Sequence, residues 1–171
     1  FVDLAKAFDT VNHSILLNKL YHYGVRGVAH QGFQSYLTNR RQFVFVNKHS
    51  SNLAEITCGV PQGSILGPLL FIIYINDFAN VSEKLKNIMF ADDTNLFITG
   101  HSMTQLEQSL NEELDKVNEW FMANLLSLNI SKTSYMIFGN NRKSDAQIRF
   151  GKAKINRVDE TKFLGIIISS N

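Results

Sequence analysis

Hydrophobic residues at Met103, Leu106, Leu110, Leu114, Val117 and Phe121 recur every three or four positions. That spacing predicts an amphipathic helix over Ser102 to Asn124, with Ser102 and Gln105 at capping-box spacing. Ile15, Leu16 and Leu20 place a second helix over His13 to Tyr23, with Asn12 as N-cap and Gly24 as stop. Val28 to Leu37 reads as another short helix. Ile65 to Phe78 is apolar nearly all round, so a helix there is expected to be buried on every side. Phe1 to Leu4 reads as a short buried strand. Gln42 to Val46 has strand composition and is expected to pair with Leu53 to Thr57 across a polar loop, Asn47 to Asn52. Asn87 to Ala91 and Thr94 to Thr99 read as strands joined at Asp92-Asp93. Tyr135 to Phe138, Gln147 to Phe150 and Phe163 to Ile168 read as further short strands. Hairpins interleaved with packed helices predict an α+β fold.

Composition adds limits. The 171 residues suit one compact domain, and 44% hydrophobic against 19% charged residues excludes a disordered chain. The net charge of +2 does not by itself argue for nucleic acid. A single cysteine, Cys58, excludes an internal disulfide and leaves no cysteine-based metal site. It lies in an apolar stretch and reads as a small core residue, in keeping with an intracellular setting. The longest apolar run, Ile65 to Ile75, is shorter than the roughly 20 residues that span a bilayer, so no membrane partner is expected. Phe1-Val2-Asp3 starts as if in mid-strand, so the sequence reads as part of a longer chain.

Three segments carry candidate chemistry. In Phe1-Val-Asp-Leu-Ala-Lys-Ala-Phe-Asp9 a carboxylate ends an apolar strand, where an unpaired charge costs several kcal/mol without a cation or hydrogen bonds. In Phe90-Ala-Asp-Asp93 two acids sit side by side in a hairpin, as a hard divalent cation would use them. In Gly59-Val-Pro-Gln-Gly-Ser-Ile-Leu-Gly-Pro68, glycines allow backbone to approach a ligand closely. Taken singly, Asp3 is better explained as a turn or cap residue, and Asp92-Asp93 as a polar turn. A Pro-Gly turn with a cap at Ser64 accounts for much of the third segment, but not for Gln62.

In this order the segments resemble motifs A, C and B of the reverse transcriptases, most closely those of non-LTR, LINE-type retrotransposons. Leu128-Asn-Ile-Ser-Lys-Thr133 is similar to motif D, and Lys162-Phe-Leu-Gly-Ile166 to motif E. The resemblance covers residues 1–171. It implies a polymerase palm, an antiparallel sheet with helices packed on one face, with fingers upstream and thumb downstream absent. It also implies RNA-directed DNA polymerase activity by two-metal nucleotidyl transfer, using two Mg²⁺ ions with Mn²⁺ as a substitute. The partners would be an RNA template, a DNA primer and dNTPs. Residue by residue, it gives Asp3, Asp92 and Asp93 as the catalytic acids and, with the Leu4 carbonyl, as the metal contacts. Asp93 has the supporting role. Phe8 becomes a steric gate against the 2′-hydroxyl, and Gln62 and Gly63 adjoin the incoming nucleotide. Lys132 becomes the proton donor to pyrophosphate, and Phe163, Leu164 and Gly165 a primer-holding hairpin. A fragment without fingers and thumb is expected to bind Mg²⁺ weakly and polymerise poorly. The alternative is a non-catalytic, retrotransposon-derived palm remnant that only folds or binds a partner. A third reading, another palm nucleotidyltransferase such as a cyclase, is disfavoured by Pro61-Gln62-Gly63 and by Phe8.

Overall fold

A computed structural model describes residues 1–139 and 146–170. The chain divides into two compact units: Lys6–Asp77, and Phe1–Ala5 together with Phe78–Asn171.

The unit Lys6–Asp77 is built on helices. α1 (His13–His22) starts where predicted: the Asn12 side chain accepts a hydrogen bond from the Ile15 amide, and Gly24 takes φ 92° just past the end. α2 spans Gly27–Leu37 and α3 spans Leu66–Ile75. Leu16, Leu20, Leu37, Leu70, Phe71 and Tyr74 are fully buried here. Lys19 on α1 donates both to the Tyr74 carbonyl and to Asp77 Oδ1, each at 2.6 Å. The helix at 66–75 is not buried on every side. Ile65 is 95% exposed, and Leu69 and Ile72 are half exposed on the same face.

Between α2 and α3 the single predicted ladder is in fact two. β1 (Arg41–Gln42) pairs antiparallel with β4 (Ala54–Glu55), and β2 (Phe45–Val46) pairs with β3 (His49–Ser50). The expected polar loop is interrupted because Asn47 and Lys48 both take positive φ, 51° and 65°. Two consecutive left-handed residues close a tight hairpin whose twist suits the flanking strands.

In the other unit, β5 (Lys86–Phe90) and β6 (Asp93–Phe97) form an antiparallel hairpin. α4 (Met103–Ala123) follows, with Ser102 Oγ accepting from the Gln105 amide. Leu114, Val117 and Phe121 form its buried face, and Phe121 meets Phe78 and Phe150 ring to ring. The short strands β7 (Ser134–Tyr135) and β10 (Asn156–Arg157) pair in parallel, and β8 (Arg149–Phe150) and β9 (Ala153–Lys154) antiparallel. β11 (Glu160–Phe163) and β12 (Ile166–Ser169) form a hairpin. The expected single strand Phe163 to Ile168 therefore reverses in its middle, where Leu164 and Gly165 take φ 48° and 85°.

The architecture is α+β, with helices against antiparallel strands. Among the described residues the ladders are two-stranded, with isolated bridges beside them and no continuous sheet. No described helix is long and apolar enough to cross a membrane.

Candidate active site

Asp3 is placed by hydrogen bonds on both sides of its short segment. On one side, the Val2 amide donates to the Thr94 carbonyl at 2.8 Å, in an antiparallel bridge to β6. On the other, Asn129 N donates to Asp3 O and Ala5 N donates to Ser127 O, each at 2.8 Å, around a bridge between Leu4 and Leu128. The Asp3 amide reaches Thr133 Oγ1 at 3.3 Å. The segment Leu128 to Thr133 thus clamps the backbone that carries Asp3. Thr133 is buried, its hydroxyl also donating to Asn129 O.

The Val2–Thr94 bridge is antiparallel, so Asp3, which follows Val2, and Asp93, which precedes Thr94, lie at the same end of it. The two carboxylates are thereby brought near each other. Their electrostatics agree. Asp93 is exposed by area, yet its carboxyl lies above the ordinary carboxylate range. Partial desolvation is the largest cause, then the charges of Asp92 and Asp3. Asp3 and Asp93 line one recess of about 90 Å³ together with Lys132, Lys162, Thr161 and Phe163.

Only one of the two acids, Asp92, sits at the hairpin tip where both were expected. The two-residue turn is Ala91-Asp92, and Asp93 is the first residue of β6, paired with Phe90. Ala91 adopts φ 53°, a left-handed conformation that costs a non-glycine residue about 1–2 kcal/mol. That strained alanine turns the chain one residue early and moves Asp93 into the ladder beside Asp3. Asp92 is exposed in the turn and does not line the recess. Among the described residues, no group of three or more His, Cys, Asp or Glu side chains is gathered closely enough to hold a metal ion.

The second segment folds around residues 8–12 of its own unit. Gly59 N donates to Val11 O at 2.7 Å, Val60 N donates to Phe8 O at 2.8 Å, and His13 Nε2 donates to Gly59 O at 2.7 Å. At φ 86°, a Cβ on Gly59 would come within 2.8 Å of Asp9 O. A Cβ on Gly67 would come within 2.5 Å of Pro61 O. Gly63 takes φ 78° beside open space, so its need is conformational rather than steric. Ser64 Oγ caps α3 by accepting from Gly67 N. Gln62, for which sequence gave no structural reason, donates from Nε2 to Asp9 Oδ1 at 2.8 Å. The Phe8 ring packs on buried Phe71 at 4.6 Å between centroids.

Cys58 corrects the expectation of a core thiol. It is exposed, and its Sγ donates to Asp9 O at 3.4 Å. Apolar neighbours along the chain did not reveal that its backbone pairs with Asn12 as an isolated bridge at the unit's surface. Two participants lie in segments singled out in the sequence but had no role assigned there: Lys162 in the acidic recess, and Asp9 as the partner of Gln62.

A family model described as reverse transcriptase (RNA-dependent DNA polymerase) matches residues 1–168. The chain belongs to the reverse transcriptase family. The RNA-directed DNA polymerase from mobile element jockey of Drosophila melanogaster is 28% identical over 175 residues, covering 98% of this chain and 19% of that protein. The probable RNA-directed DNA polymerase from transposon BS of the same species is 29% identical, covering 98% and 19%. A putative 115 kDa protein of its type-1 retrotransposable element R1DM is 30% identical, covering 99% and 16%. These relatives place this reverse transcriptase domain with the non-LTR, LINE-type elements. The chain spans less than a fifth of their length.

Proposed function

We propose that this chain is the catalytic palm of an RNA-directed DNA polymerase, adding dNTPs to a primer 3′-hydroxyl opposite an RNA template. The observation that carries the proposal is the nearness of Asp3 and Asp93, with Asp92 adjoining in a strained turn. Like charges held near each other destabilise a fold, and folding alone offers no return for keeping them. A hard divalent cation does. Mg²⁺ takes one or two carboxylates with substrate phosphates completing its shell, so neighbouring carboxylates suit it.

In this reading Asp3 and Asp92 hold the ions, with the Leu4 carbonyl and, in support, Asp93. The bridge to Leu128 supports Leu4, because it leaves the Leu4 carbonyl facing away from Leu128. Bound there, Mg²⁺ supplies charge neutralisation for the attacking and leaving oxygens of an in-line displacement. Lys132, exposed at the same recess, protonates the departing pyrophosphate. Phe8, backed by Phe71 and tied through its carbonyl to Val60, is rigid enough to reject a 2′-hydroxyl by contact. Gln62 and Gly63 adjoin the nascent pair, and the turn at Phe163, Leu164 and Gly165 holds the primer.

The test is Mg²⁺-dependent dNTP incorporation on an RNA template by the full-length protein carrying this chain, beside Asp92→Ala. Incorporation abolished by the substitution supports the proposal. Equal incorporation by both proteins sinks it.

A further inference from the structure

The modest net charge of this chain conceals a concentration. From Thr10 to Ala54 there is no Asp or Glu, against Lys19, Arg26, Arg40, Arg41 and Lys48. Lys19 is taken by Asp77. Among the described residues, no ion pair engages Arg40 or Arg41. Both line a recess of about 450 Å³ in the unit Lys6–Asp77, with Gln42, Asp9, Cys58 and Gln62. The Arg40 guanidinium lies over the Tyr36 ring at 5.3 Å and donates to the Tyr36 carbonyl at 3.5 Å, which fixes its direction. Asp9, the one carboxylate of the lining, already accepts from Gln62. Immediately along the chain, Phe43 and Phe45 are 56% and 66% exposed.

These features point to one kind of ligand. A guanidinium fork matches two phosphate oxygens, and its charge is undiminished at any working pH. Exposed aromatic rings beside basic side chains are how proteins hold unpaired bases. We propose that Arg40 and Arg41 grip backbone phosphates of a single-stranded nucleic acid, with Phe43 and Phe45 as stacking surfaces for its bases. On the polymerase proposal, which this deepens and rests on, the strand is the unpaired RNA template.

Cys58, the sole cysteine and exposed at the recess, reports occupancy through its rate of maleimide labelling. The experiment uses the intact chain and single-stranded oligouridine, without Mg²⁺ or dNTPs. RNA is expected to slow Cys58 labelling. Arg40→Gln/Arg41→Gln is expected to weaken binding about tenfold and to reduce the log–log salt slope by about 1.4, for two contacts at roughly 0.7 each. Arg40→Lys/Arg41→Lys keeps the charge and should keep the salt slope while losing part of the affinity with the fork, which separates a lost contact from a lost fold. Wild-type affinity and slope in the Gln pair overturn the proposal, as does RNA that leaves the labelling rate unchanged. Protection by dATP and not by RNA also overturns it, assigning the recess to a free triphosphate. Because binding is read without metal, equal incorporation by the wild type and Asp92→Ala would sink the polymerase proposal and leave this site standing.

Discussion

Asp93 shows how a residue can be placed against its own interest. It lies near Asp3 at the end of the Val2–Thr94 bridge, follows Asp92 in sequence, and shares its recess with Lys132 and Lys162. Its raised proton affinity has a definite sign. A carboxyl that binds a proton more tightly folded than unfolded favours the fold below the ordinary value of 3.8, and loses that contribution as pH rises through its higher folded value. Above that window the ionised group is a net cost. Asp93→Asn is therefore expected to raise the melting temperature near pH 7 without divalent cation, by about 1–2 °C because the group is exposed and screened. The difference should shrink as pH falls through the raised folded value and vanish below 3.8, and thermal melts near pH 7 and below 3.8 read it. Phe8 makes a different claim. Phe8→Ala removes the proposed wall against the ribose and should raise ribonucleotide incorporation relative to dNTP. Unchanged sugar selectivity in primer extension would remove Phe8 from that role.

The elements show which signals a sequence carries well. α1 and α4 were legible because their caps are local: Asn12 and Ser102 each bond an amide three residues on. The hairpins were less so. Their turns rest on residues rarely left-handed: Ala91 moves Asp93 out of the turn, and Leu164 splits a strand in two. Composition does not signal a non-glycine residue forced to positive φ, because the surrounding fold supplies the force. α3 was misjudged for another reason. Hydropathy reports the tendency to bury and not the area available, so Ile65, Leu69 and Ile72 stay exposed. The glycines of this segment suggest room for a ligand, but at Gly59, ahead of α3, and at Gly67, in its first turn, the close neighbour is the chain's own backbone. Gly67→Ala should therefore cost about 1–3 kcal/mol, the usual range for overpacking against atoms that cannot yield. Denaturant unfolding would measure it, and a change below about 0.5 kcal/mol, the surface-substitution range, would show that α3 shifts freely.

At the scale of the whole molecule, motif order was the legible part, and the nearness of Asp3 to Asp93 was not. It depends on hydrogen bonds between segments some 90 and 130 residues apart in sequence, as in Val2 to Thr94 and Asp3 to Thr133. Metal binding makes that nearness measurable without catalysis. A ligand that binds the folded state alone stabilises it according to its excess over the dissociation constant. At tenfold excess the gain is about 1.4 kcal/mol, or roughly 3–6 °C in melting temperature for a chain of this size. Mg²⁺ is thus expected to raise the melting temperature of the wild type while monovalent salt at equal ionic strength does not. Asp3→Asn and Asp92→Asn should each lose most of that rise. Asp93→Asn should begin from a higher metal-free value and gain less, since substitution has already relieved the repulsion that the ion would neutralise. Equal Mg²⁺ responses in all four proteins would mean that the ion is acting elsewhere, and the acids would then lose their role as metal ligands.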